Sequence, residues 1–140
     1  MNEFEKCVQD GRLVKMSATD DIIGKELEEA EYDLVKAEES LMKEDYKWAS
    51  VQAYYSMFHS AKALVFRKGY REKSHYCLIV ALRELYVNTN ELDGDYVDTY
   101  EMCMDIRHEA DYGLSYDKES ARLCIEAAGS FLQKTKDLPY

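Results

Sequence analysis

Residues 48–61, WASVQAYYSMFHSA, hold no Asp, Glu, Lys or Arg, in a chain whose composition is 33% charged. A segment that is apolar nearly all round has no solvent face, so the spacing predicts a helix buried on every side, the central member of a bundle. The helix is expected to run from about Asp45 to Lys68. Gly69 stands where a residue in the left-handed conformation closes a helix.

Outward from this run, each neighbouring segment carries one apolar stripe. Upstream, Ile23, Leu27, Ala30, Leu34, Ala37 and Leu41 recur in steps of four and three, which predicts an amphipathic helix over residues 20–43. Thr19, Asp20 and Asp21 suit its capped, acid-favouring N-terminus. Downstream, Tyr76, Ile79, Leu82 and Tyr86 predict a helix over 74–87. Tyr96, Tyr100 or Thr99, Cys103, Ile106 and Ala110 predict another over 95–111, broken by Gly113. Ala121, Cys124, Ala128, Phe131 and Thr135 predict the last, over 117–136. Residues 2–10 form a short helical arm, and no stretch alternates with period two, so no strand is expected. With one proline, Pro139, and six glycines, little interrupts long helices. The fold class is all-α, an up-and-down bundle of four to five helices spanning residues 20–138, preceded by an N-terminal arm over 1–19.

A net charge of −10 excludes indiscriminate nucleic-acid binding, which needs a broadly basic surface. The charge is uneven, however. Residues 1–45 contain half of the 28 acidic residues. Lys62, Arg67, Lys68, Arg71, Lys73 and Arg83 face only Glu72 over residues 62–83, the one segment that would welcome a polyanion. Cys7, Cys77, Cys103 and Cys124 form no CxxC pair and have no metal-ligand spacing to histidine, so all four are expected to be buried free thiols. The acidic N-terminus and the lack of a long apolar run argue for a soluble, cytoplasmic protein without membrane attachment. No pair of helices supplies Glu-x-x-His motifs, so neither metal nor cofactor is expected.

The segment RHEADYG, residues 107–113, carries the candidate chemistry. Arg107 and Asp111 stand at i and i+4 on one helix face, and Tyr112 follows at the helix end. A guanidinium can grip phosphate by its planar fork, with the carboxylate orienting it and the phenol stacking. The plain alternative is a salt bridge with an aromatic lid. Lys73, Ser74 and His75, at a predicted helix start, would add donors at a natural anion site. His59 is expected as a hydrogen-bonded core histidine, and the other tyrosines as packing with wet hydroxyl ends.

Ala53-Tyr54-Tyr55-Ser56-Met57-Phe58-His59-Ser60-Ala61, then Lys73-Ser74-His75, then Arg107 with Ala110-Asp111-Tyr112, together resemble the HEPN superfamily. More narrowly, they are similar to its small stand-alone bacterial and archaeal branch, over about residues 20–136. The resemblance implies a homodimeric bundle, often encoded beside a minimal nucleotidyltransferase as a toxin–antitoxin pair. It also implies nucleotide or RNA as ligand and, in active members, metal-independent endoribonuclease activity. Their motif is an Arg followed after four to six residues by a His. Residues 111–114 here read Asp-Tyr-Gly-Leu, and His108 lies about 100° round the helix from Arg107. Cleavage needs a proton acceptor and donor near neutrality, which histidine supplies untuned, so the missing imidazole counts against ribonuclease activity. The expected catalytic residues are Arg107, Asp111 and Tyr112, and the expected nucleotide- or RNA-binding residues are Lys73, Ser74, His75 and Arg107. The rival reading is a structural protein–protein interaction module without ligand or catalysis.

Overall fold

The computed structural model describes residues 1–111 and 116–139, the side chains of residues 110 and 111 excepted. In chain order its elements are α1 (Glu3–Gln9), β1 (Leu13–Lys15), α2 (Asp20–Met42), α3 (Tyr46–Arg67), β2 (Tyr70–Glu72), α4 (His75–Leu82), α5 (Gly94–Asp111) and α6 (Lys118–Asp137). The molecule is the expected all-α bundle.

The charge-free run lies in α3, which packs against α2, α6 and α5. Ala53, Tyr54, Met57, Ala61 and Leu64 on this helix are all 1% exposed or less. Burying side chains of the size of Met57 or Leu64 is worth about 1.5–3 kcal/mol each. Alanines at the contact, Ala30 and Ala37 on α2 and Ala53 on α3, are solvent-free and let the two helix backbones approach. Ser56 Oγ donates to the Ala30 carbonyl at 2.7 Å across that seam. The burial is not uniform, however: Trp48, at the start of the run, is 52% exposed, and Gln52, Tyr55, Phe58 and His59 are half-buried.

Side-chain caps start the helices where the sequence places cap residues. Thr19 accepts from the Ile22 amide, Asp45 from Trp48, Ser74 from Cys77 and Asp117 from Ser120, each cap worth about 1 kcal/mol. At the other end of α3, Gly69 takes φ +85°, a conformation costly for residues with a Cβ. Its carbonyl then accepts from the Met16 amide at 2.9 Å.

The structure corrects four expectations. The chain is not free of strands: β1 and β2 pair antiparallel, Leu13 opposite Glu72 and Lys15 opposite Tyr70. Three residues per strand are too few for an alternating pattern to register, and their pairing is a long-range event. Nor are all four cysteines free, because Cys7 and Cys77 form a disulfide, with Cα atoms 5.9 Å apart. Cys103 and Cys124 are buried free thiols. The helix over 74–87 is not uniform. A π-helical turn, Arg83–Val87, follows α4, and within it Tyr86 donates its hydroxyl to the Leu64 carbonyl at 2.6 Å. Finally, Tyr76 is 47% exposed, since Cys77 and Leu78 turn that face of α4 inward instead.

Residues 1–15 share the main core. Cys7 and Leu13 are buried in the same cluster as Tyr54, Leu78 and Phe131, with Phe4 packed against it. No helix among the described residues is long and apolar enough to cross a membrane.

Candidate functional site

Three elements converge beside the aromatic face of α3. On α3, Tyr54 and Phe58 are four residues apart and so share a face, with Tyr55 next to them. His75 is the first residue of α4, held in place by the Ser74 cap. Arg107 comes from the C-terminal part of α5, just before its last turn.

His75 is clamped from two sides. Its Nδ1 lies 2.6 Å from the Tyr54 hydroxyl, and its ring stacks on Phe58 with centroids 4.6 Å apart. Burial, assisted by the positive charges of Arg107 and Lys62, holds its pKa below the ordinary 6.5, so the ring is neutral at neutral pH. Tyr54 is pushed the other way, up to about 12, chiefly by burial, so it remains a phenol. In the tautomer whose Nδ1–H donates to the Tyr54 oxygen, His75 Nε2 is left as a proton acceptor.

Arg107 is held by the same aromatic surface. Its Nη2 donates to the Tyr55 hydroxyl at 2.7 Å. Its guanidinium carbon lies 5.3 Å from the Tyr54 ring centre and 5.4 Å from that of Tyr55, within cation–π range. An arginine already held against aromatic rings and a phenol loses little side-chain entropy on meeting a ligand.

His75 and Arg107 line one cavity of about 430 Å³, together with Met104, Asp105 and His108. The chemistry gathered there is a guanidinium, two imidazoles and a carboxylate. A phosphodiester would find the guanidinium as a charge-assisted donor. Its neighbouring hydroxyls would find groups able to exchange protons near neutrality.

The expected site residues are therefore partly assembled. Arg107 and His75, which are 32 positions apart in sequence, share the cavity. Ser74 sits beside it and uses its hydroxyl oxygen to cap α4. The Lys73 side chain is exposed and is not among the cavity-lining residues, while its amide donates to the Arg12 carbonyl at 2.8 Å. The Asp111 side chain and all of Tyr112 lie outside the described residues.

Sequence reasoning assigned Tyr54, Tyr55 and Phe58 to packing, and set His108 apart from Arg107 by its angle on the helix. The cavity is wide enough to take both neighbours. Tyr54 is indeed a core residue, solvent-free in the main cluster, with Tyr55 and Phe58 packed against that cluster; the usable signal was the Tyr54–Phe58 spacing beside Tyr55, which puts polar-tipped rings on one stretch of α3.

Comparison with known proteins agrees with the fold. A family model described as HEPN domain matches residues 25–138. Two proteins of Methanocaldococcus jannaschii, each carrying the name "Putative toxin", are similar to this chain. One is 32% identical over 112 residues, covering 79% of this chain and 76% of the relative. The other is 32% identical over 113 residues, covering 79% and 83%. A "UPF0332 protein" of Archaeoglobus fulgidus is 33% identical over 87 residues, 61% of this chain and 69% of the relative.

Proposed function

The chain belongs to the HEPN domain family, and from that premise we propose that it is an RNA-binding member of a toxin–antitoxin pair. It acts as a homodimer whose partner is a minimal nucleotidyltransferase. The observation that carries the ligand assignment is the cavity itself. Arg107, braced by Tyr55 and the two tyrosine rings, lies with His75 in a space open to a phosphate. The names of the two archaeal relatives support the toxin setting.

Overall acidity fits this reading. A chain of net charge −10 would repel nucleic acid over most of its surface, so binding depends on a few well-placed cations. Arg107 is the best placed of them, because its guanidinium is oriented before the ligand arrives.

Exchange of Arg107 for Ala is expected to weaken binding of a short single-stranded RNA about tenfold or more, the worth of a charge-assisted hydrogen bond. It should also flatten the salt dependence by about one phosphate contact. The melting temperature should fall modestly, since the variant loses the half-buried bond to Tyr55, worth about 1 kcal/mol, together with its contacts to the Tyr54 and Tyr55 rings. Fluorescence anisotropy across a salt series, with thermal melts in parallel, checks both expectations. Unchanged RNA binding with a large fall in melting temperature would make Arg107 structural and favour the interaction-module reading.

A second reading, RNA cleavage, is favoured by His75 and His108 reaching the cavity from two helices. The neutral His75 takes the proton from a 2′-hydroxyl, whose oxygen attacks the adjacent phosphorus. The 5′-oxygen leaves with a proton handed over by His108. The products are a 2′,3′-cyclic phosphate and a 5′-hydroxyl end, so neither water nor a metal enters the step. Arg107 offsets charge on the non-bridging oxygens. The imidazole absent from the Arg-x4–6-His spacing is then supplied from outside that spacing.

A further inference from the structure

We propose that Glu29, Asp33 and His59 form a binding site for one divalent transition-metal ion, of the Zn2+ or Mn2+ class, on the seam between α2 and α3. Glu29 and Asp33 are four residues apart and share one face of α2, and His59 reaches them from α3. One ligand atom from each of the three lies within 4.8 Å of the others.

Acidic side chains on a helix commonly gather without a ligand. Here the imidazole and the way it is held set the cluster apart. His59 Nδ1 lies 2.6 Å from Glu26 Oε2. With Nδ1–H donating to that carboxylate, the Nε2 lone pair points on toward Asp33, whose Oδ2 is 3.6 Å away. A carboxylate behind a histidine, fixing its tautomer and raising its basicity, is the usual outer support of a metal-bound imidazole.

Charge in the cluster is also out of balance. Lys62 lies 3.5 Å from Glu26, the carboxylate behind His59, and 3.9 Å from Glu72. It is therefore shared with a second carboxylate that is only 9% exposed and has one oxygen lacking a hydrogen-bond partner. Glu29 and Asp33 stand one turn apart on the same face of α2 and bring two carboxylates to one imidazole. An ion placed between Glu29, Asp33 and Nε2 would relieve that crowding. Asp33 and His59 side chains are 20% and 21% exposed, while Glu29 is exposed, so an ion has a path in and water can fill the open coordination positions.

One imidazole with two carboxylates suits a borderline cation better than calcium or magnesium, which prefer oxygen alone. The set is drawn from two helices, so no Glu-x-x-His spacing announces it. It is separate from the Arg107 cavity and stands whether or not that cavity binds RNA.

The competing account is an imidazolium of His59 bridging Glu26 and Asp33, with no ion. Calorimetric titration of the full chain with ZnCl2, and separately with MnCl2, at pH 7.5 distinguishes the two. One saturable site per chain is expected for at least one of the ions, with a raised melting temperature. Glu29→Gln, on an exposed side chain, should leave the fold intact and weaken binding about tenfold or more. Asp33→Asn should do the same, and Glu26→Gln should weaken binding about 10–100-fold through His59. Absence of a saturable site for both ions would overturn the proposal. Wild-type affinity in both Glu29→Gln and Asp33→Asn would overturn it too.

Discussion

On the cleavage reading proposed above, replacing His75 by alanine is expected to lower RNA cleavage by about 10²–10⁴-fold, the usual contribution of a positioned general base, while RNA binding changes far less. The ring is clamped between the Tyr54 hydroxyl and Phe58, and burial with Arg107 and Lys62 nearby lowers its pKa from 6.5. As a base it works only when neutral. The acid limb of the rate profile should therefore fall at a pH below 6.5, at the lowered pKa. Stability follows the same sign. The unfolded chain takes up the proton first as pH drops through 6.5, so the folded state loses stability below that point and gains nothing above it. Single-turnover cleavage of a labelled RNA across pH, with binding measured in parallel, reads the effects on rate and affinity, and thermal melts over the same pH range read the stability. A wild-type protein without cleavage above background, or full cleavage in His75→Ala, would leave the cavity as a binding site only.

Loss of the Cys7–Cys77 bond is expected to cost about 4 kcal/mol of stability, the chain-entropy value for so long a loop. The two cysteines are 70 residues apart in sequence. For a chain of this length, that corresponds to a melting temperature lower by on the order of 10 °C. Cys7→Ala separates this effect from any action of a reductant on the buried thiols Cys103 and Cys124. The bond joins α1 to the first turn of α4, where the Cys77 amide is also capped by Ser74, so its loss should loosen the segment that presents His75. Four titratable thiols in the denatured, unreduced protein would show that the bond does not form; two are expected.

Most of the fold was legible without coordinates. The helices over 20–43, 45–68, 95–111 and 117–136 emerge within a residue or two of those bounds, because periodicity along one chain decides which face of a helix is buried. Phe131, Cys124 and Ala128 are solvent-free as their spacing implied. His59 is hydrogen-bonded as expected, but it stands half-buried on the seam with α2 rather than in the core. The site was less legible. Arg107 and His75 were visible as residue types, yet what makes them a pair is their packing against Tyr54, Tyr55 and Phe58, and that information is three-dimensional.

Sequence by itself determined the helical class, the central place of α3 and the family, since composition and period act locally and are read residue by residue. Tertiary structure alone decided the pairing of β1 with β2, the bond between Cys7 and Cys77 and the meeting of Arg107 with His75. Each joins residues far apart along the chain, where local preference is silent and only the closing of the bundle brings the partners within bonding distance.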